Sequence, residues 1–161
     1  MWLVHETTLS NLKQILEDGV LKPSSKTQRE RHGEFLDHVF MSVLFDDEKI
    51  EGKGGPIDAL LFFPLDLMKK YTPSHWSPEW NYGDTAKKSV KYKKSLTPQQ
   101  NAELWQEVTY AKPLQNEVVF EKEIPASEIA FVYLRKKYTA KIEIPNPVVD
   151  TKQKLNKLLA T

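Results

Sequence analysis

Residues 2–21 read Trp2-Leu3-Val4-His5-Glu6-Thr7-Thr8-Leu9-Ser10-Asn11-Leu12-Lys13-Gln14-Ile15-Leu16-Glu17-Asp18-Gly19-Val20-Leu21, and their hydrophobic period changes once. Residues 2–5 alternate and suit a strand, whereas Leu9, Leu12, Ile15 or Leu16 and Val20 recur at helical spacing. Thr7 or Thr8 can cap the helix by accepting a backbone N–H, and Gly19 can take the left-handed conformation that ends it. The stretch predicts a strand leading into an amphipathic helix.

Working outward, Val39-Phe40-Met41-Ser42-Val43-Leu44-Phe45 is an apolar run broken by one serine, and Ala59-Leu60-Leu61-Phe62-Phe63 is a second such run stopped by Pro64. Both read as strands buried on two faces. Residues 65–71 suit a short helix. The stretch from Thr72 to Leu96 reads as one long loop, a length more often functional than decorative. Thr97-Pro98-Gln99-Gln100 carries a capping-box start, with Leu104, Trp105 and Val108 on the buried side of the helix that follows. Strands are expected over 115–124, 130–134 and 141–144, with a terminal helix over 151–159. The expectation is one α+β domain over residues 1–161, with about five or six strands clustered after the midpoint and two to four helices.

Composition removes several kinds of chemistry. The 161 residues include no cysteine, so there is no disulfide framework, thiolate zinc site or cysteine nucleophile. His5, His32, His38 and His75 form no pair at the spacing of a helical zinc site, and no metal is expected. The glycines at 52, 54 and 55 precede no Lys-Ser or Lys-Thr, and no Gly-x-Ser-x-Gly occurs. A formal net charge of +1 gives no global field that draws the chain to nucleic acid or an anionic membrane, so such attraction needs a local patch. The apolar stretch at the N-terminus is shorter than the roughly 7–15 residues of a signal peptide core, and no run approaches the roughly 20 needed to span a bilayer. A cytoplasmic protein with no membrane partner is expected.

Three polar residues fall on strands of one expected sheet: His5, Ser42 and Glu117. Each alone has an ordinary explanation, as a histidine beside a helix cap, a small core residue and one more carboxylate near Glu121 and Glu123. Together they carry a resemblance. His5-x-Thr7, followed by Asn11-Leu12-x-x-Ile15-Leu16-x-x-Gly19-x-Leu21, resembles the opening of ADP-ribosyltransferase-fold proteins, including the DNA-targeting enzymes of toxin–antitoxin systems and the tRNA 2'-phosphotransferases. Gln115-x-Glu117-Val118-Val119, running into Ile124-Pro125-x-x-x-Ile129, looks like the strand that bears the catalytic glutamate in that superfamily. Where the histidine-tyrosine-glutamate pattern commonly has tyrosine, this chain has Met41-Ser42-Val43, closer to the serine of the arginine-serine-glutamate branch.

The resemblance implies a split antiparallel sheet with flanking helices, NAD as substrate, and transfer of ADP-ribose to a macromolecular acceptor, protein or nucleic acid. Breaking the nicotinamide–ribose bond builds an oxocarbenium-like transition state, and a carboxylate held nearby in a site with little water stabilises it. Glu117 is the candidate for that role. His5 is expected to orient the ribose by donating from one ring nitrogen to a hydroxyl, with Glu117 facing it across a cleft. Thr7, Ser42 and Gln115 are candidate cofactor contacts, and Tyr71, Trp76, Trp80 and Tyr82 are candidate stacking partners for nicotinamide.

Lys87, Lys88, Lys91, Lys93 and Lys94 follow those aromatic residues, a mixture used for nucleic acid and also common on solvated surface loops. Two rival readings stand beside NAD-dependent transfer. One is an RNA 2'-phosphotransferase, disfavoured because only Arg29, Arg31 and Arg135 could surround a phosphate. The other is a non-enzymatic domain that binds nucleic acid or protein through residues 71–94.

Overall fold

The computed structural model describes residues 1–23, 38–45, 59–78, 89–108, 116–134 and 140–143. Gln115, Trp80, Tyr82, Lys87, Lys88, the three arginines, the glycines at 52–55 and the expected terminal helix lie outside the described residues.

The opening element behaves as its sequence dictates. Strand β1 (Trp2–Thr7) runs into helix α1 (Leu9–Asp18). Thr8 caps the helix, its Oγ1 accepting from the Asn11 N–H at 3.1 Å. Gly19 ends it at φ 72°, a conformation that costs any residue with a Cβ about 1–2 kcal/mol. Strands β2 (Val20–Leu21), β3 (Val39–Leu44) and β4 (Ala59–Phe63) follow, then the single-turn helix α2 (Leu67–Lys70). The capping box forms as expected at helix α3 (Pro98–Val108). Gln100 N–H donates to Thr97 Oγ1 at 3.1 Å, and Thr97 N–H donates to Gln100 Oε1 at 2.9 Å.

The expected loop from 72 to 96 is not one loop: it contains strands β5 (His75–Ser77) and β6 (Val90–Lys91). These strands of three and two residues have too few positions to show a period and exist through their pairing with longer neighbours. The expected strand over 115–124 is two, β7 (Glu117–Phe120) and β8 (Ile124–Pro125), followed by β9 (Phe131–Leu134) and β10 (Ala140–Glu143). Strands are therefore spread along the described chain rather than gathered after its midpoint.

Among the described residues, eight strands form one sheet in the order β10-β9-β4-β1-β3-β7-β5-β6, and β2 pairs with β8 apart from it. Every paired neighbour is antiparallel. Strand β3 is divided between its two neighbours: residues 42–44 pair with β1, and residues 39–41 pair with β7. The sheet is thus split along β3.

Alternation sorts the side chains onto two faces. Leu3, His5 and Thr7 share one face with Val43, Met41, Val118 and Trp76. That face is covered by the helices through Leu12, Ile15, Leu16 and Trp105, and it holds the main core. Trp76 and Trp105 stack at 5.5 Å between ring centres, and burying such side chains contributes about 1.5–3 kcal/mol each. The other face carries Val4, Leu60 and Phe62, with Phe131 stacked on Phe62 at 4.4 Å. Ser42, Glu117 and Ser77 point to this second face.

Candidate active site

The split is made by two side chains that replace backbone rungs on either edge of β3. The β1–β3 ladder stops at Val4–Ser42, and two residues further its register would set Glu6 opposite Phe40. There the His5 ring reaches the strand instead, with Nδ1 2.7 Å from the Phe40 carbonyl oxygen. On the other edge the β3–β7 ladder stops at Met41–Val118. Asn116 then meets Val43 through its side-chain amide: Oδ1 accepts from Val43 N–H at 2.8 Å, and Nδ2 donates to Val43 O at 2.9 Å.

Asn116 is the residue that sequence reasoning missed. It is fully buried, and its Oδ1 also accepts from Trp76 Nε1 at 3.0 Å, so one amide ties β3, β7 and β5 together immediately before Glu117. A polar residue ahead of a strand reads as a turn, and only the three-dimensional pairing reveals its role. The Ser42 hydroxyl supports the same point by donating to the Asn116 carbonyl at 2.6 Å. The proton of the Ser42 side chain is thereby committed to the backbone of Asn116.

Glu117 begins β7 and is 6% exposed. Among the described residues nothing hydrogen-bonds its carboxyl group, and burial pushes that group up to about 7 from an ordinary 4.5. Ordinary surface glutamates do not sit this way, because a buried carboxylate without a partner costs several kcal/mol on Born-type reasoning. Its cross-strand partner is Ser77, which is 1% exposed with a hydroxyl that has no hydrogen-bond partner among the described residues.

The His5 geometry reverses one expectation. A carbonyl oxygen only accepts, so Nδ1 must carry the proton. Burial pushes His5 below its ordinary value, and the Phe40 hydrogen bond opposes this only in part. The neutral ring therefore presents Nε2 as an acceptor, and His5 cannot orient a hydroxyl by donating to it. Nor does it face Glu117 directly. Strand alternation gives the two residues opposite faces, no hydrogen bond joins them, and β3 is the element they share.

The remaining candidates are dispersed. Thr7 is buried at the end of β1 opposite Ala59. Tyr71 closes α2 and packs half-buried against the main core. Trp76, offered as a stacking partner for nicotinamide, is wholly buried against Trp105 and is a core residue. Lys91, Lys93 and Lys94 are exposed at the β6 end of the sheet. Lys91 stands opposite His75, which places it on the Glu117 face. Lys93 is anchored through its backbone, its N–H donating to Asn101 Oδ1 at 2.9 Å.

No family model and no curated protein matches the sequence. Among solved structures, the fold is similar to that of DarT from Thermus sp. 2.9, determined in complex with ADP-ribosylated single-stranded DNA. The TM-score is 0.58 at 14% identity, over 99% of this chain and 87% of that one. The chain has an α+β fold built on a mostly antiparallel sheet, of the ADP-ribosyltransferase-like kind its sequence resembles.

Proposed function

We propose that this protein transfers ADP-ribose from NAD to a macromolecule, with single-stranded nucleic acid as the favoured acceptor. The observation that carries the reading is Glu117: a buried, partnerless carboxyl at the start of a strand, held by the Asn116 amide next to it. The neighbour's complex with ADP-ribosylated DNA supports the acceptor class, as do the exposed Lys91, Lys93 and Lys94.

In this reading the bond from the ribose anomeric carbon to the nicotinamide nitrogen breaks, and nicotinamide leaves with the electron pair. The ionised Glu117 stabilises the positive charge that develops on the sugar, in a setting where little water competes. A nucleophilic atom of the acceptor then bonds to the anomeric carbon and gives up its proton to Glu117 or to solvent. His5, with its proton committed to Phe40, and Thr7 at the end of the same strand lie on the other face of the sheet, so their part is to hold β1 against its neighbours rather than to touch the sugar at Glu117.

Incubation of the purified protein with label on the adenylate of NAD tests the reading, with single-stranded DNA, single-stranded RNA and a protein mixture supplied in parallel. Label is expected on single-stranded nucleic acid and on none in Glu117→Gln. Label on protein alone overturns the acceptor class. No label and no nicotinamide release in any arm overturns the activity.

A further inference from the structure

Buried polar groups almost always have hydrogen-bond partners, and exceptions concentrate where a ligand supplies the missing one. On the second face of the split sheet one row of side chains runs Val4, Ser42, Glu117, Ser77. Ser42 is satisfied by the Asn116 carbonyl, and the Asn116 amide makes three bonds of its own. The buried Ser77 hydroxyl has no hydrogen-bond partner among the described residues, and burial raises the Glu117 carboxyl with no hydrogen bond offsetting it. They are directly opposed on β7 and β5, which sets their Cβ atoms about 4.5–5.5 Å apart on one face.

We infer that Ser77 is a substrate-contacting residue, and that Ser77 and Glu117 together grip one sugar hydroxyl of the ligand. The chemistry of the pair selects that group. The serine offers an O–H donor and the carboxylate offers an acceptor, so the ligand atom between them must accept and donate at once, as a hydroxyl does. The inference rests on the proposed use of NAD, which brings the hydroxyls of the nicotinamide-side ribose to Glu117. It adds a contact from β5, where the residue offered for the cofactor, Trp76, is a core residue.

Ser77→Ala separates this role from a structural one. The substitution nearly preserves volume and removes a buried hydroxyl that has no partner, so the melting temperature should hold or rise. Affinity for a carbocyclic, cleavage-resistant NAD analogue, measured by titration calorimetry, should fall about tenfold. The analogue's 2'-deoxy and 3'-deoxy counterparts supply the decisive comparison. Wild type should lose about tenfold in affinity for one of the two, and Ser77→Ala should bind that counterpart and the parent analogue alike. Unchanged binding by Ser77→Ala, full retention of the discrimination, or a lowered melting temperature overturns the inference while leaving the NAD reading intact. Failure of wild type to bind the parent analogue overturns both.

Discussion

The Nδ1–H of His5 donates to the Phe40 carbonyl at 2.7 Å, and this bond stands where the antiparallel ladder between β1 and β3 would have its next rung. A side chain from inside one strand thus holds the adjacent strand at a position where the backbones no longer pair. The same bond fixes the histidine tautomer and with it the polarity of the nitrogen left for a ligand.

Replacing His5 with Ala removes that bond and should lower stability by about 0.5–1.5 kcal/mol, read by urea denaturation. The pH dependence has a definite sign. Burial holds His5 and His75 below the ordinary 6.5, so the unfolded chain takes up protons that the native state refuses. The histidine contribution to stability is complete above pH 6.5 and falls as the pH drops through the lowered native values. His5→Gln should shallow that acid limb, and a limb unchanged in this variant would contradict the burial argument.

Glu117 acts in the opposite sense. Its carboxyl titrates near 7 in the folded protein and near 4.5 in the unfolded chain. The Glu117 contribution is therefore full below pH 4.5 and is lost as the pH rises through 7. Glu117→Gln should match wild type at pH 4 and exceed it at pH 8 by on the order of 3 kcal/mol. Equal stabilities at pH 8 would mean that the carboxylate is solvated.

Asn116→Ala should be among the most damaging single substitutions in the described part of the chain. It removes both bonds to Val43 and the partner of Trp76 Nε1, at a cost of about 2–4 kcal/mol. Asn116→Asp keeps an acceptor for Trp76 Nε1 but cannot donate to the Val43 carbonyl, so it too should destabilise. A loss below 1 kcal/mol for Asn116→Ala, by the same urea titration, would show that the backbone closes up without the amide.

Local and long-range determinants part company here. Thr8, Gly19 and the pair Thr97 and Gln100 act within one helical turn, so the sequence alone reveals them and the structure repeats them. Trp76 looked like a stacking residue because its neighbours in sequence are polar and aromatic. Its burial depends on Trp105 and Asn116, which lie 29 and 40 positions away. Ser77 and Asn116 were illegible for the same reason. A serine before a proline and an asparagine before a glutamate look like turn residues until pairing with distant strands buries them. The Glu117 position was readable from its strand context, whereas the donor and acceptor sense of His5 needed the carbonyl of Phe40.

Gly19→Ala gives a small, clean check on the opening motif. Nothing lies within 4 Å of a Cβ built there, so the penalty is the left-handed backbone alone, about 1–2 kcal/mol. A fall in melting temperature with no change in NAD binding is expected.

Charge reversal at Lys91, Lys93 and Lys94 should weaken binding to single-stranded DNA and flatten its salt dependence. Each phosphate contact contributes about 0.7 to the slope of log affinity against log salt, so losing three should reduce it by about 2. Fluorescence anisotropy across a salt series reads this directly, and an unchanged slope would assign these lysines to solvent.

The most direct test of Glu117 is the rate of nicotinamide release from NAD, followed against pH. The wild-type rate should rise as the carboxyl ionises through about pH 7. Glu117→Gln should be slower by about 10²–10³ at pH 8, the usual loss for one electrostatic stabiliser of a transition state. A variant that releases nicotinamide as fast as wild type across the range would contradict the account at its centre.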